Sequence, residues 1–183
     1  MKCFYLMAAL LLGSGQAIAA PELNAVSSDA EQVQIQLRDY FFNAARFGDN
    51  EVLDEFIQAG YDLNTADDKG YTALILAAYN GHPDTVERLI AAGADACAQD
   101  ARGNTALMGA IFKGELRIAK RLLATECDPD QRNHAGQTPA MYAALFQRDA
   151  LLQALRERGA DLEASDPMGN KVESLARGEI RTR

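Results

Sequence analysis

Gly70, Gly103, Gly136 and Gly169 are separated by a constant 33 residues (103−70 = 136−103 = 169−136), and whole segments recur with them. Asp67, Asp100, Asn133 and Asp166 stand three residues before each glycine, and Thr72, Thr105 and Thr138 two residues after the first three. The series Asp62, Asp95, Asp128, Asp161 and the series Ala44, Ala77, Ala110, Ala143, Ala176 keep the same step. With 14 glycines in 183 residues, three further ones in phase arise by chance roughly once in two thousand sequences, and a fixed period in this range signals a stacked array. The chain must therefore bury its apolar faces between neighbouring copies of one small unit, and the question of function moves from chemistry to binding.

One unit, Asp67 to Gln99, reads as a turn, two short helices and a return loop. In Asp67-Asp68-Lys69-Gly70 the aspartate can bond its own backbone two residues on, and the glycine accepts positive φ. Thr72 is placed to cap a helix whose apolar face is Leu74, Ala77 and Ala78. Asn80-Gly81 ends it. Pro83 suits the first turn of a second helix, and Asp84 complements its dipole. Val86, Leu89 and Ile90 then form one buried stripe. Helices of at most about ten residues do not persist alone in water, so each must be held by the units on either side.

Asp-x-x-Gly-x-Thr-Ala-Leu at 67–74, Ala-Ala-Tyr-Asn-Gly-His at 77–82 and Ala-Gly-Ala-Asp at 92–95 resemble the ankyrin repeat. The resemblance implies an all-α solenoid of helix-turn-helix units with β-turn or hairpin tips. Its full units fall at 34–66, 67–99, 100–132 and 133–165, with a half-unit cap at 166–180, inside a repeat domain over 34–183 preceded by a linker and the start of a capping helix at 20–33.

Several positions depart from the family pattern. The tetrapeptide Thr-Pro-Leu-His appears as Thr72-Ala73-Leu74-Ile75, Thr105-Ala106-Leu107-Met108 and Thr138-Pro139-Ala140-Met141. Apolar packing is expected to replace the histidine's hydrogen bonds. Leu74 and Leu107 are expected to point between the helices of adjacent units. Asp39 takes the threonine position of the first unit and reads as its cap, while Ser28 and Glu31 suggest a capping box opening an extra N-terminal helix. Glu126 replaces the glycine found at 60, 93 and 159, so the loop there is expected to be the least regular, with Pro129 restraining it. Lys171 replaces threonine in the last unit, where one helix is expected over about 172–180.

Residues 1–19 lie outside the array. Lys2, the apolar run Phe4–Leu12 and Ala17-Ile18-Ala19 have the layout of a secretory signal peptide, with cleavage expected after Ala19. The apolar run is about half the roughly 20 residues of a spanning helix, so no membrane insertion is expected once the leader is removed. Without Lys2 the chain carries 17 basic and 26 acidic side chains, a net charge of −9. That charge repels nucleic acid and anionic membranes. Short exported bacterial ankyrin-repeat proteins are similar in size, which implies a periplasmic monomer. Cys97 and Cys127 lie in neighbouring units but out of phase. Because the repeats specify the fold without a bridge, they read as two unpaired, partly buried thiols. A disulfide is the alternative that an oxidising compartment allows.

No catalytic set emerges. His82 reads as structural in the step between helices, and His134 sits in an exposed turn without cysteines or carboxylates at metal-ligand spacing. Asp128 and Asp130, beside Cys127, belong to the return loop. No phosphate-cradling glycine motif, nucleophile elbow or paired-cysteine redox motif is present. The expectation is a non-enzymatic protein-binding module with no cofactor and no metal.

Arg46, Tyr79, Phe112 and Leu145 form one column of the first helices, beside Phe47, Asn80, Lys113 and Phe146. The column either contacts a partner or fills gaps between units. The expected contact set is Lys69, Tyr71, Tyr79, Arg102, Phe112, His134 and Leu145, since aromatic residues dominate binding hot spots. The resemblance implies a companion protein that stabilises, inhibits or gives immunity against an exported enzyme such as a catalase, a phospholipase or a toxin. A general structural or stress-related adaptor is the alternative.

Overall fold

The computed structural model describes residues 22–182, and the expected leader at 1–19 lies outside them. The chain divides into Met1–Gln36 and Leu37–Arg183. Of the first unit, the described part is the opening of helix α1 (Glu22–Phe47), and the second holds the array. Nine helices and no strand are found among the described residues. After α1 come α2 (Asn50–Gln58), α3 (Ala73–Tyr79), α4 (Pro83–Ala91), α5 (Ala106–Lys113), α6 (Leu116–Leu123), α7 (Pro139–Leu145), α8 (Asp149–Glu157) and α9 (Val172–Ala176). The first helices pack in series, α3 on α5, α5 on α7 and α7 on α9, and the second helices likewise, α2 on α4, α4 on α6 and α6 on α8. The core therefore runs as a strip between the two rows rather than gathering at one centre.

The invariant turn has a single cause. One side-chain oxygen of Asp67 accepts the amides of Lys69 and Tyr71, both at 2.9 Å. Asp100, Asn133 and Asp166 each serve the two corresponding amides in the same way. Only an acceptor is required, so asparagine serves as well as aspartate. The tip of one unit then rests on the next: the Ala101 amide donates to the Lys69 carbonyl at 2.8 Å, and the His134 amide to the Arg102 carbonyl at 2.9 Å. A Cβ added at Gly103, where φ is +78°, would lie 2.7 Å from the His134 nitrogen. Glycine is required there both for its conformation and for the close approach.

Thr72, Thr105 and Thr138 cap α3, α5 and α7, each hydroxyl oxygen accepting the amide three residues on. Ile75, Met108 and Met141 are buried, so apolar packing does fill the family's histidine positions.

Four expectations are corrected. Asp39 lies inside α1, which runs unbroken from Glu22, so neither Asp39 nor Ser28 opens a helix. The first unit lacks the glycine turn, and between 28 and 39 no glycine or proline interrupts a run with three glutamines and one each of alanine, glutamate, leucine and arginine. The last helix stops at Ala176 rather than reaching Ile180, because Gly178 adopts φ +75° and Arg181 returns to pair with Asn170. Leu145, like Tyr71, is partly buried against the core.

The fourth correction concerns the thiols, since Cys97 and Cys127 form a disulfide with Cα atoms 5.4 Å apart. The register explains its place. Asn64, Cys97 and Asp130 occupy one column, 33 residues apart. The Asn64 side chain accepts the Asp95 amide of the next unit at 2.8 Å, and Asp130 accepts the Asp161 amide at 2.9 Å. Between these two rungs the acceptor is replaced by Cys97, and the loop carrying Glu126 brings Cys127 to it. The junction that lacks the hydrogen bond has a covalent link instead. Here α6 also ends one residue earlier in register than α4 and α8 (124−1 = 123).

Candidate binding groove

The first helices and the turn tips enclose a groove of about 650 Å³. Its floor follows the register column Leu76, Gly109 and Tyr142, each one unit apart. A glycine inside a helix costs roughly 0.5–1 kcal/mol relative to alanine. At Gly109 the missing side chain leaves room beside Tyr79, whose Cβ would be 3.8 Å from an added one. Beneath the tips is a polar network. The Tyr142 hydroxyl donates to Asn104 Oδ1 at 3.0 Å, the same oxygen accepts from Asn133 Nδ2 at 3.0 Å, and Asn104 Nδ2 reaches the buried Asp100. Burial raises the Tyr142 phenol above its ordinary pKa, partly opposed by the Asn133 hydrogen bond. The phenol stays neutral and acts as a fixed donor.

Aromatic rings line the wall across three units. Tyr79 and Phe112 stack with centroids 5.9 Å apart and planes 9° from parallel, and Phe112 meets Phe146 edge-on at 4.8 Å. Tyr142 closes the run on Phe146 at 5.7 Å. The Lys113 ammonium lies 5.1 Å from the Tyr79 centroid, within cation–π range. Tyr79 and Phe112 remain 43% and 39% exposed, so each ring packs on its neighbour and also faces solvent.

Of the residues expected to make contact, Lys69, Tyr71, Tyr79, Arg102 and Phe112 line the groove, and His134 and Leu145 do not. The His134 ring covers Gly103. The run of rings continues through Phe146, in the column of Phe47, Asn80 and Lys113. Periodicity places Asp100 and Asn104 in the turn columns but missed Tyr142; the sequence signal was the mid-helix Gly109 in phase with two large side chains. His82 is structural, its Nε2 lying 2.9 Å from the Arg46 carbonyl of the unit before. Among the described residues there is no group of histidine, cysteine or carboxylate able to hold a metal ion, and no helix is long and apolar enough to cross a membrane.

A family model described as ankyrin repeats (3 copies) matches residues 41–133 and, overlapping, 92–166. The chain belongs to the ankyrin-repeat family. These repeats mark it as a protein–protein interaction module, in a family whose members are typically not enzymes. No curated protein matches the chain.

Proposed function

We propose that this ankyrin-repeat chain works in the periplasm as the companion of an exported enzyme such as a catalase, a phospholipase or a toxin, stabilising, inhibiting or neutralising it. The observation that carries this reading is the groove, in which half-exposed rings from adjacent units lie beside Lys69 and Arg102. Aromatic and arginine side chains concentrate binding energy. The signal-like layout of residues 1–19 supports export, and so does the disulfide, since such bonds persist in oxidising compartments. Intact-mass measurement on protein from the cell envelope is expected to show a chain cut after Ala19; an unprocessed N-terminus would remove export from the proposal.

Phe112→Ala tests the site. The ring touches Tyr79 and Phe146, so its loss should lower stability by about 1–3 kcal/mol, the scale of two aromatic pairs. Capture of the physiological partner from periplasmic extract, with the bait folded, should weaken about tenfold or more. A lowered unfolding midpoint with undiminished capture would make the ring a packing element only, and the groove would lose its role.

A further inference from the structure

Cations on both sides of the stack divide into paired and unpaired ones, Lys120 and Arg156 on the second helices having no carboxylate partner among the described residues. Along the second helices, Arg88 pairs with Asp54 at 2.6 Å, Arg117 with Asp84 at 3.0 Å, and Arg121 with Glu87, each reaching the unit before its own. On the groove side, Arg46, Lys69 and Arg102 have no carboxylate within ion-pair distance among the described residues, and neither has Lys113 on the adjoining column. Arg46 reaches only the Asn43 side chain, at 2.7 Å. The acidic residues there are already engaged. Asp67 and Asp100 hold their own turns, while Asp39 and Asp68 flank Arg38 at 3.7 and 3.9 Å. The lining thus carries four cations (Arg38, Arg46, Lys69, Arg102) and four carboxylates (Asp39, Asp67, Asp68, Asp100), and three of the cations have donors open beside the apolar wall.

We propose that the groove takes an extended segment of the partner protein in which an aromatic or aliphatic anchor is flanked by carboxylates. This rests on the reading that the groove is the interface. The anchor lies on the Tyr79–Phe112 stack, and the flanking carboxylates meet Arg46 and Lys69 on one side and Arg102 on the other. Because the lining is balanced in formal charge, selectivity comes from short-range pairing of the partner's carboxylates with these open donors rather than from attraction at a distance. Single-stranded nucleic acid also uses rings beside cations, but its binding needs a continuous basic track. Here Asp39 and Asp68 interrupt the groove lining.

The test is selection of random peptides of about twelve residues on the leaderless full chain, followed by anisotropy titration of the winners. Enrichment of Asp and Glu around one aromatic or aliphatic residue is expected. Lys69→Glu/Arg102→Glu should weaken those peptides about tenfold or more, and Arg117→Glu/Arg121→Glu, on the opposite row, less than about twofold. Thermal melts establish that all variants are folded. Winners that depend on Phe112 but not on Lys69 and Arg102 would overturn the acidic assignment and leave the groove as interface. Winners indifferent to Phe112→Ala as well would sink both. Basic or neutral winners, no enrichment, or a thymidine oligonucleotide binding more tightly than the acidic peptides would each overturn the proposal.

Discussion

Ile111→Ala is expected to lower the free energy of unfolding by about 2–5 kcal/mol. Ile111 is fully buried on α5, the central first helix, which packs on α3, α5's own partner α6, and α7. Removing the side chain opens a cavity in the buried core strip to which Ile111 belongs. In a linear stack a defect at one end frays one unit, whereas a defect in the middle weakens the coupling of the units on both sides. Urea unfolding should therefore show a lower midpoint, and the transition should broaden as the two halves lose cooperativity. A loss below about 1 kcal/mol would mean that the site collapses freely, which is inconsistent with the close-packed register described above.

Replacing both cysteines by alanine is expected to cost about 3–4 kcal/mol, the loop-closure value for a bridge spanning 30 residues of sequence. The location gives this prediction an internal control. In the Asn64–Cys97–Asp130 column, the positions on either side of Cys97 accept an amide from the next unit. Cys97→Asn with Cys127→Ala should therefore recover about 1 kcal/mol relative to the double alanine variant, the net worth of one hydrogen bond. Chemical denaturation of the three proteins measures this directly. Equal stability of the asparagine and alanine variants would show that the bridge does not stand in for the missing rung.

The features legible in the sequence were those that repeat. The aspartate-to-glycine spacing, the threonine caps and the apolar residues at 75, 108 and 141 each perform one task in several units, so register reveals the task without coordinates. The features that escaped are set by single departures from the register or by contacts between columns. Cys97 and Cys127 are out of phase because a cross-link joins a position in one unit to a different position in the next. Phe146 keeps the register of Phe47, Asn80 and Lys113, and only its edge-on contact with Phe112 shows that this column continues the run of rings. Asp39 looked like a cap because capping residues are common, but a cap needs a break before it, and the first unit has none. Within the site, Tyr71, Tyr79, Phe112, Lys69 and Arg102 could be named from register columns. Asp100 and Asn104 stand in the columns of Asp67 and Tyr71, but their link to Tyr142 of the next unit could not be read from register.

The covalent rung also has a mechanical consequence. Tension applied at the two ends of the stack would peel units inward from each terminus, but the residues between Cys97 and Cys127 cannot contribute to extension while the bond is intact. About 100 Å of contour length, at roughly 3.4 Å per extended residue, is withheld. That tether encloses Arg102, Gly109 and Phe112, so these central elements of the groove stay on a short closed loop after the outer units have given way.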